Sequence, residues 1–451
     1  MRPWMAAAAL AAVGCGGNDS AQIDSAPPTW YQEVGPLVTD RCVSCHRSDG
    51  IGGFSLETYA DAQPWADEMV DAVASGRMPP WAATDSDDCT PKHGFKDDPR
   101  LSVDELDTLR AWAEAGAPAG DEAEIPAAVI PSLADPSIEV TLNEPFVVDG
   151  DRDIYQCFRV EVPHEGDVWI TDMEVVAGND KIVHHVLVWH DPQDLSASKV
   201  GPDGSYACSG QPDVFPTDLI GGWTPGSPPV TTPENTGILF KEGGTIVINV
   251  HYHPTGDTSE TDQTRVKLKW TDEQPANHAT YFMVDLPFGA RVTDGPSDNG
   301  GAEFRIPAGK ATHRETIELD PGGLLPFDVP IFAIMPHMHY RGTDMRVKIV
   351  REGDILEDEC VINAEGFRFD FQNNYVFDAP VDQLPVLRQN EKVEVRCIYN
   401  NDWSNPFIED ALSAAGETEL VDVYWGEETS DEMCMAVVGL VLPPIDLWSY
   451  F

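Results

Sequence analysis

The chain has 451 residues, of which 28 are Lys or Arg and 77 are Asp or Glu, so its formal net charge is −49 at pH 7. This charge excludes a nucleic-acid binder, because a phosphate backbone would repel the protein, and it disfavours docking to anionic lipid headgroups through a basic patch. Because 42% of the residues are hydrophobic and Gly and Pro number 37 each, the composition excludes overall disorder and indicates turn-rich β domains, with a length that allows about three of them.

The N-terminal segment has the features of an export signal. Residues 4–14 form an apolar stretch that is too short to cross a bilayer, which needs about 20 residues. The stretch ends in Ala-Val-Gly followed by Cys15, which resembles a bacterial lipobox with Cys15 as the acylated residue. We therefore predict a signal peptide at 1–15, a tether at 16–28 and a lipid-anchored outer-membrane protein, exported to the periplasm or cell surface. An ordinary signal peptide with an incidental cysteine is the alternative.

The first chemical motif is Cys-Val-Ser-Cys-His at residues 42–46, the attachment pattern of c-type haem. Cys42 and Cys45 would add to the two vinyl groups, while His46 would reach the iron from one face. A redox or zinc CxxC site is the alternative. The adjacent histidine, the exported context and the lack of a second CxxC motif favour one covalently attached haem c.

Helical patterns surround this motif, as in a small all-α cytochrome c domain. Residues 30–37 are predicted to lead helically into it, and Ser102 with Glu105 at capping-box spacing predicts the start of a later helix. Between them, Met78 is followed by two prolines and is the predicted second axial ligand, because a thioether raises the haem potential. His93 is the competing ligand, and a core position is the alternative for a lone methionine.

From residue 137 onward the chain changes to short β-branched runs separated by turns, which is typical of antiparallel sandwiches. The predicted strands include residues 168–173, 182–189, 245–252, 266–270, 331–335, 345–350 and 393–399. Since this stretch is too long for one sandwich, we predict a mainly β fold with two tandem antiparallel jelly-roll-like sandwiches, preceded by the all-α cytochrome c domain. The predicted bounds are 29–118 for the haem domain, 119–136 for a linker, and 137–272 and 273–451 for the two sandwiches.

Histidines occur within or just after several of these strands. His184 and His185 are adjacent, and neighbours on a flat strand point to opposite faces, so both can reach one metal only at a bulge or a distorted edge. His251 ends another strand. His337 and His339 are two residues apart, so their imidazoles lie on one face of the strand, where both can bind one metal ion. Taken singly, each histidine has a plainer interpretation as a hydrogen-bonded core residue.

The order of these motifs carries a resemblance. In chain order the motifs are His-His, Val-His-Tyr, His-X-His-X-X-Gly and Thr-Ser-Asp-Glu-Met-Cys, the last of which contains Met433. This ordered set resembles the copper type II ascorbate-dependent monooxygenases. This family includes the peptidylglycine α-hydroxylating and dopamine β-monooxygenases. The match extends over roughly residues 150–440, in order and at compatible separations.

The resemblance implies two copper ions, one in each sandwich, that face a solvent-filled cleft. The first would be held by His184, His185 and His251, and the second by the catalytic residues His337, His339 and Met433. The second would bind dioxygen and insert one oxygen atom into a substrate C–H bond, and its soft thioether suits Cu(I). The first would store an electron. Family members usually take electrons from ascorbate, and here the fused haem offers another donor.

The cysteine count fits an oxidising compartment. Of nine cysteines, six remain after the lipidation site and the haem motif are set aside, an even number that allows three disulfides. The pairings that the resemblance implies are Cys157 with Cys208 and Cys397 with Cys434. Cys89 and Cys360 are left over and are predicted to bridge the haem domain and the copper core.

Departures from the family bear on the substrate. The peptide-amidating members have an arginine two residues before His-X-His, where this chain has Met335, and a tyrosine four residues after the methionine ligand, where it has Val437. The anchor for a peptide carboxylate is therefore missing, and a neutral or cationic small molecule is expected. His190 and His253 have no family counterpart and are expected behind the ligands or at the surface.

Two other functions remain open at this point. The chain could bind copper and haem for electron transfer without oxygenation, or it could be a surface adhesion module of jelly-roll type with a haem domain attached. For the monooxygenase, the expected partners are dioxygen, a small-molecule substrate and an external electron donor. Nucleic acid is not an expected partner, and membrane contact is expected only through the lipid anchor.

Overall fold

The computed structural model describes residues 26–48, 50–150, 152–208, 210–256, 259–293, 295–296, 301–321, 327–351 and 357–444. The predicted signal peptide with Cys15, and most of the tether, lie outside these ranges. Within them, no helix combines the length and the apolar character needed to cross a membrane.

Helices dominate the N-terminal domain. A π-helical turn at Trp30–Val34 continues into α1 (Gly35–Arg41), which confirms the helix predicted before the CxxCH motif. The other α-helices of this domain are α2 (Tyr59–Ala62), α3 (Ala66–Ala74) and α4 (Val103–Glu114), whereas α5 (Ile408–Ala415) lies near the C-terminal end of the described chain. Ser102 and Glu105 form the predicted capping box at the start of α4. Trp112 of α4 packs on Trp30 in a small helical core of its own.

The rest of the described chain, hereafter the β core, is mainly strand, as predicted. In chain order the strands are β1 (Ile138–Thr141), β2 (Phe146–Val148), β3 (Ile154–Glu161), β4 (Val168–Val176), β5 (Val183–Asp191), β6 (Ser205–Ala207), β7 (Asp218–Trp223), β8 (Val230–Thr231), β9 (Thr236–Phe240), β10 (Thr245–Tyr252), β11 (Glu260–Asp262), β12 (Arg265–Thr271), β13 (Asn277–Val284), β14 (Arg291–Val292), β15 (Arg305–Ile306), β16 (Lys310–Leu319), β17 (Val329–His337), β18 (Gly342–Val350), β19 (Glu359–Glu365), β20 (Tyr375–Val376), β21 (Val386–Leu387), β22 (Lys392–Asn401), β23 (Val423–Tyr424) and β24 (Met435–Leu442). Each strand predicted from the sequence overlaps one of these.

Three larger sheets build two halves around one hydrophobic core. The first half has a five-stranded sheet in the order β6-β3-β10-β5-β7, and the second has β14-β16-β22-β18-β19. A ten-stranded sheet, β1-β12-β4-β9-β13-β24-β17-β20 with β8 and β21 paired beside it, runs through both halves. The two halves therefore have one sheet in common.

A short parallel pairing of β9 with β13 makes that sheet continuous. Thr236 lies opposite Asn277, and Gly237 lies opposite His278. A Cβ atom at Gly237 would approach the Cβ of Trp169 to 2.8 Å, so glycine allows the close approach at this junction. The two halves are thus hydrogen-bonded to each other, in addition to being connected by the chain.

Residues 81–96, which we call the strap, leave the helical domain and pack on the second half. The Thr84 N–H donates to the Asn363 carbonyl at 2.8 Å, and the Lys96 N–H donates to the Val376 carbonyl at 2.8 Å. The Trp81 ring packs edge-on against the Tyr375 ring at 4.7 Å. The N-terminal domain is therefore attached to the β core by the strap as well as by the predicted linker.

Disulfides reinforce this arrangement. The described cysteines form three bonds, Cys89–Cys360, Cys157–Cys208 and Cys397–Cys434, which confirms all three predicted pairings. The first joins the strap to β19. The third joins β22 to the residue that follows Met433. Cys42 and Cys45 remain unpaired.

Candidate metal centres and their cavity

Three of the predicted histidines converge where β5 pairs with β10. The Nδ1 atoms of His184, His185 and His251 lie 3.1–3.4 Å from one another. A point equidistant from three atoms at such separations is about 1.9 Å from each, close to the metal–imidazole bond length of about 2.0–2.1 Å. The group, hereafter the trihistidine site, fits one metal ion held by three imidazoles.

A bulge in β5 makes this convergence possible. His251 lies opposite His185, but the next residue, Tyr252, lies opposite Val183, so His184 has no partner on β10. The extra residue kinks the strand and re-aims its side chain. The structure therefore confirms the distortion predicted for the strand that carries His184 and His185.

Burial favours the neutral form of the His184 and His185 imidazoles. It lowers the pKa of His184 to about 3, with a smaller contribution from the neighbouring His251, and it lowers the pKa of His185 well below its ordinary value. A neutral imidazole keeps a lone pair free, which is the form that binds a metal. His184 and His185 are therefore ready to coordinate a metal at neutral pH.

Asp153 contacts the trihistidine site on the side of His251 that faces away from the other two ligands' Nδ1 atoms. No motif in the sequence indicates this role. Its Oδ2 lies 3.1 Å from Nε2 of His251, and its Oδ1 lies 2.8 Å from Nδ1 of His253, which is 62% exposed. Burial would raise the pKa of Asp153, but contacts with the two histidines lower it well below its usual range. The carboxylate favours a proton on Nε2 of His251, which leaves Nδ1 for the metal. His190 is fully buried, so the expected surface position is wrong for this residue.

Tyr155 connects the trihistidine site to the second half. Its ring stacks on His251 with centroids 4.2 Å apart and an interplanar angle of 9°. Its hydroxyl lies 2.9 Å from Oγ1 of Thr429, in the loop that leads to Met433. One side chain therefore contacts a ligand of the trihistidine site and the Met433 loop.

The remaining predicted ligands, His337, His339 and Met433, meet at the second half and are hereafter called the methionine site. His337 ends β17 opposite Met435 of β24, and His339 follows two residues later. The two imidazole centroids are 5.2 Å apart with perpendicular planes. Met433 is buried and lines the same cavity as both histidines. The structure thus brings the three residues together, and their binding of copper stays a prediction.

Hydrogen bonds orient both imidazoles of the methionine site. Nδ1 of His337 lies 2.5 Å from Oε1 of Gln372, and Nδ1 of His339 lies 3.2 Å from the carbonyl oxygen of Asp431. Because both acceptors are oxygens, the protons lie on Nδ1 and the Nε2 lone pairs remain for a metal. Burial lowers the pKa of His337 to about 4 and that of His339 to about 3.

A buried Glu432–Arg341 network fixes the loops of this site. The Glu432 carboxylate accepts from the backbone N–H groups of His339 at 2.9 Å and Arg341 at 2.6 Å. The Arg341 guanidinium donates to the Ser430 carbonyl at 3.0 Å. Burial raises the pKa of Glu432 to about 7. The residue before Met433 is thereby attached to the chain around His339.

The two groups adjoin one cavity between the halves, lined by residues that include His185, His337, His339 and Met433. Phe369 lies between them: its ring centroid is 5.0 Å from that of His184 and 6.5 Å from that of His339. The ring centroids of His184 and His339 are therefore separated by no more than the sum of these two distances. Phe369, like Gln372, follows β19 in a loop that carried no functional signal in the sequence.

The CxxCH motif lies directly after α1. Nδ1 of His46 is 3.3 Å from the carbonyl oxygen of Phe54, which leaves Nε2 for an axial bond. Burial raises the pKa of the Cys42 thiol to about 12. The two free thiols of Cys42 and Cys45 and the oriented imidazole of His46 fit a covalently attached haem.

The other predicted haem ligands lie beyond α3. Met78 is half-buried in the turn before the strap. His93 lies on the strap, and its Nε2 is 2.9 Å from the carbonyl oxygen of Gln383 in the second half. The competing ligand therefore already has a hydrogen-bond partner in the β core.

The motif also contacts the β core close to the metal sites. The Sγ of Cys45 lies 3.0 Å from the position that a Cβ atom would take at Gly226, whose φ of +84° favours glycine. Arg47 forms an ion pair with Asp180 at 3.5 Å, four residues before His184. Thr224 and Ser227, which flank Gly226, line the cavity. The CxxCH motif is thus in contact with segments that lead to the trihistidine site and to the cavity.

Comparison with known proteins finds one matching family model and several similar curated proteins. Residues 139–258 match the family model of the copper type II ascorbate-dependent monooxygenase N-terminal domain. Dopamine beta-hydroxylase of Canis lupus familiaris is 21% identical over 333 residues, which are 71% of this chain and 50% of that protein. DBH-like monooxygenase protein 1 is 24% identical over 65% of this chain and 44% of the protein in Gallus gallus, and 22% identical over 68% and 47% in Homo sapiens.

The chain spans about half the length of these curated relatives. Among solved structures, the major capsid protein P2 of bacteriophage PM2 aligns with 68% of this chain and 98% of its own at 11% identity, with a TM-score of 0.26, which is too low to support a shared fold. Residues 139–258 are thus similar to the N-terminal domain of the copper type II ascorbate-dependent monooxygenases, and a larger part of the chain is similar to dopamine beta-hydroxylase and DBH-like monooxygenase protein 1.

Proposed function

We propose that this protein is a copper-dependent monooxygenase that hydroxylates a C–H bond of a small molecule with dioxygen, and that its electrons come from a haem c in its own N-terminal domain. The observation that carries the proposal is the pairing of two unlike sites on one cavity. One site offers three imidazoles, and the other offers two imidazoles and a thioether. A hydroxylation that needs two electrons at one place is served by a second redox site close by.

The methionine site is the proposed oxygen-activating centre. Copper bound by His337, His339 and Met433 would supply dioxygen activation, and the thioether favours the Cu(I) state. Gln372 and the Asp431 carbonyl hold the Nδ1 protons of the two imidazoles, so both rings present Nε2. The cavity that these ligands line is mostly apolar.

The trihistidine site is the proposed electron store. His184, His185 and His251 converge on one point, and Asp153 orients His251 through Nε2. The Phe369 ring lies 5.0 Å from the His184 ring and 6.5 Å from the His339 ring, so packed side chains offer an electron a short path between the two sites.

Haem c attached through Cys42, Cys45 and His46, with Met78 as the second axial ligand, is the proposed internal donor. The strap and the Cys89–Cys360 disulfide attach its domain to the β core, and the Arg47–Asp180 ion pair joins the motif to the chain before His184. A tethered donor acts at a high effective concentration. Ascorbate or another external donor would then reduce the haem or the copper directly.

Export and lipid anchoring through Cys15 complete the proposal. Three disulfides in the described residues fit an oxidising compartment outside the cytoplasm. Labelling with radioactive palmitate should mark the wild-type protein and not the Cys15→Ala variant.

The proposal is tested by a metal count, an absorption spectrum and oxygen labelling on the purified full chain. We expect two coppers and one haem per chain, and one ¹⁸O atom from ¹⁸O₂ in the product when a small-molecule library is turned over. The His337→Ala variant should retain the haem and give no labelled product. Bound copper and haem without labelled product from any compound would favour electron transfer alone, and absence of copper after anaerobic reconstitution would favour an adhesion module.

A further inference from the structure

Two consecutive glycines, Gly221 and Gly222, lie inside β7. Glycine weakens a strand, because it loses more conformational freedom on folding than other residues and packs no side chain. Within a strand it often marks a position that a ligand or another chain segment approaches closely. Neither residue has a φ in the left-handed region, so the backbone conformation explains neither glycine. What a side chain would meet at each position is therefore informative.

The two glycines face opposite sides of the sheet. A Cβ atom at Gly221 would approach Cε of Met173, a core residue, to 2.8 Å. Gly222 instead lines the cavity between the metal sites, and a Cβ atom there would approach Cδ2 of Leu187 to 3.0 Å and Cε of Met335 to 3.4 Å. Both of these side chains line the cavity as well. The lack of a side chain at Gly222 thus leaves space between the ends of two apolar side chains.

This space lies next to the metal ligands. Leu187 follows His185 by two residues on β5 and Met335 precedes His337 by two residues on β17, so each lies about 7 Å from a ligand along its strand. Because side chains alternate along a strand, each apolar residue shares a face with the ligand. A molecule that contacts the ligands can therefore extend a further group over Gly222.

The walls around this space are apolar. Val437 of β24 lies opposite Met335 on one neighbouring strand and opposite Met283 on the other, and all three line the cavity. Leu187 and Met283 are only partly buried, so a group in the cavity can contact them. Methionine side chains are flexible and adapt to irregular apolar shapes. Leu187, Gly222, Met283, Met335 and Val437 are hereafter called the apolar subsite.

We propose that an alkyl or aryl group of the substrate occupies the apolar subsite, and that Gly222 determines how large this group can be. The inference rests on the monooxygenase function proposed above and narrows its substrate class to molecules with a hydrocarbon group beside the reacting C–H bond. Each further methylene that the subsite buries should tighten binding about 3- to 4-fold.

Equilibrium dialysis of the copper-loaded full chain against benzene, toluene, ethylbenzene and propylbenzene tests this inference. In wild type, the affinity should rise about 3- to 4-fold with each added carbon until the subsite is filled. Gly222→Ala places a methyl group between Leu187 and Met335. It should weaken propylbenzene binding at least about 5-fold and benzene binding less than about 2-fold, because only the longer probe overpacks the subsite.

Gly221→Ala is the matched control, because it adds the same methyl group to the same strand on the face that packs against Met173. It should leave the whole probe series unchanged. Met335→Ala enlarges the subsite, so in the double variant with Gly222→Ala it should restore propylbenzene binding.

The inference is overturned if wild-type affinity does not rise along the series, if Gly222→Ala weakens benzene as much as propylbenzene, or if Gly221→Ala acts like Gly222→Ala. The wild-type series needs no variant to fold. A chain that takes up no copper would overturn the proposed function instead, and the same series on the metal-free chain would then test the apolar subsite.

Discussion

Removing the Asp153 carboxylate should weaken metal binding at the trihistidine site without removing a ligand. The carboxylate lies 3.1 Å from Nε2 of His251 and holds the imidazole in the tautomer that presents Nδ1. Loss of such a supporting group typically lowers metal affinity about 10- to 100-fold, which corresponds to about 1.4–2.7 kcal/mol. We therefore expect Asp153→Ala to raise the dissociation constant for Cu(II) at this site by a factor in that range.

The assay is a competition titration with a copper chelator in a His339→Ala background, where only the trihistidine site retains all its ligands. His253→Ala is the matched control, because this 62% exposed side chain contacts the other carboxylate oxygen and should change the affinity less than about 3-fold. The Asp153→Asn variant removes the charge but keeps a polar side chain of the same shape. Its copper affinity should lie between those of Asp153→Ala and His253→Ala. If Asp153→Ala binds copper as tightly as its parent, the carboxylate does not orient His251 and the reasoning fails.

Three further predictions concern protonation and the haem. Because burial lowers the pKa of His184 to about 3 and those of His337 and His339 to about 4 and 3, the unfolded chain takes up protons first as pH falls below about 6.5. The metal-free protein should therefore lose on the order of 2 kcal/mol per histidine by pH 5, and a thermal midpoint that stays level from pH 7 to pH 5 would contradict this. Met78→Ala should abolish the weak near-infrared band of Met-ligated ferric haem and lower its potential; a band that survives the substitution would show that Met78 is not the ligand. After rapid reduction of the haem alone, its reoxidation by Cu(II) should be first order, whereas a rate proportional to protein concentration would indicate transfer between molecules.

The sequence was sufficient for the features that depend on local pattern. Alternating apolar runs located the strands, and the adjacent His184 and His185 required a distorted strand, which the bulge opposite His251 supplies. The capping box at Ser102 located α4. In each case neighbouring residues carry the signal, because strand alternation and helix capping act over a few positions.

Features that depend on the approach of distant segments had no local signal. Asp153 reaches His251 only because β3 pairs with β10, and Gln372 reaches His337 from a loop 35 residues away. Phe369 occupies its position between the two sites through the packing of the same loop. The strap and the β9–β13 pairing likewise join segments that share no sequence pattern. Such contacts are set by tertiary packing, on which periodicity carries no information.

X-ray absorption at the copper edge of the ascorbate-reduced, copper-loaded protein tests the central claim most directly, because a thioether ligand to Cu(I) distinguishes the methionine site from every all-nitrogen site. We predict a sulfur scatterer in wild type that disappears in Met433→Ala. That variant should keep most of its copper, since His337 and His339 remain, but should form no hydroxylated product. A wild-type spectrum without sulfur, or a sulfur signal unchanged in Met433→Ala, would contradict the assignment of this site and the monooxygenase function that depends on it.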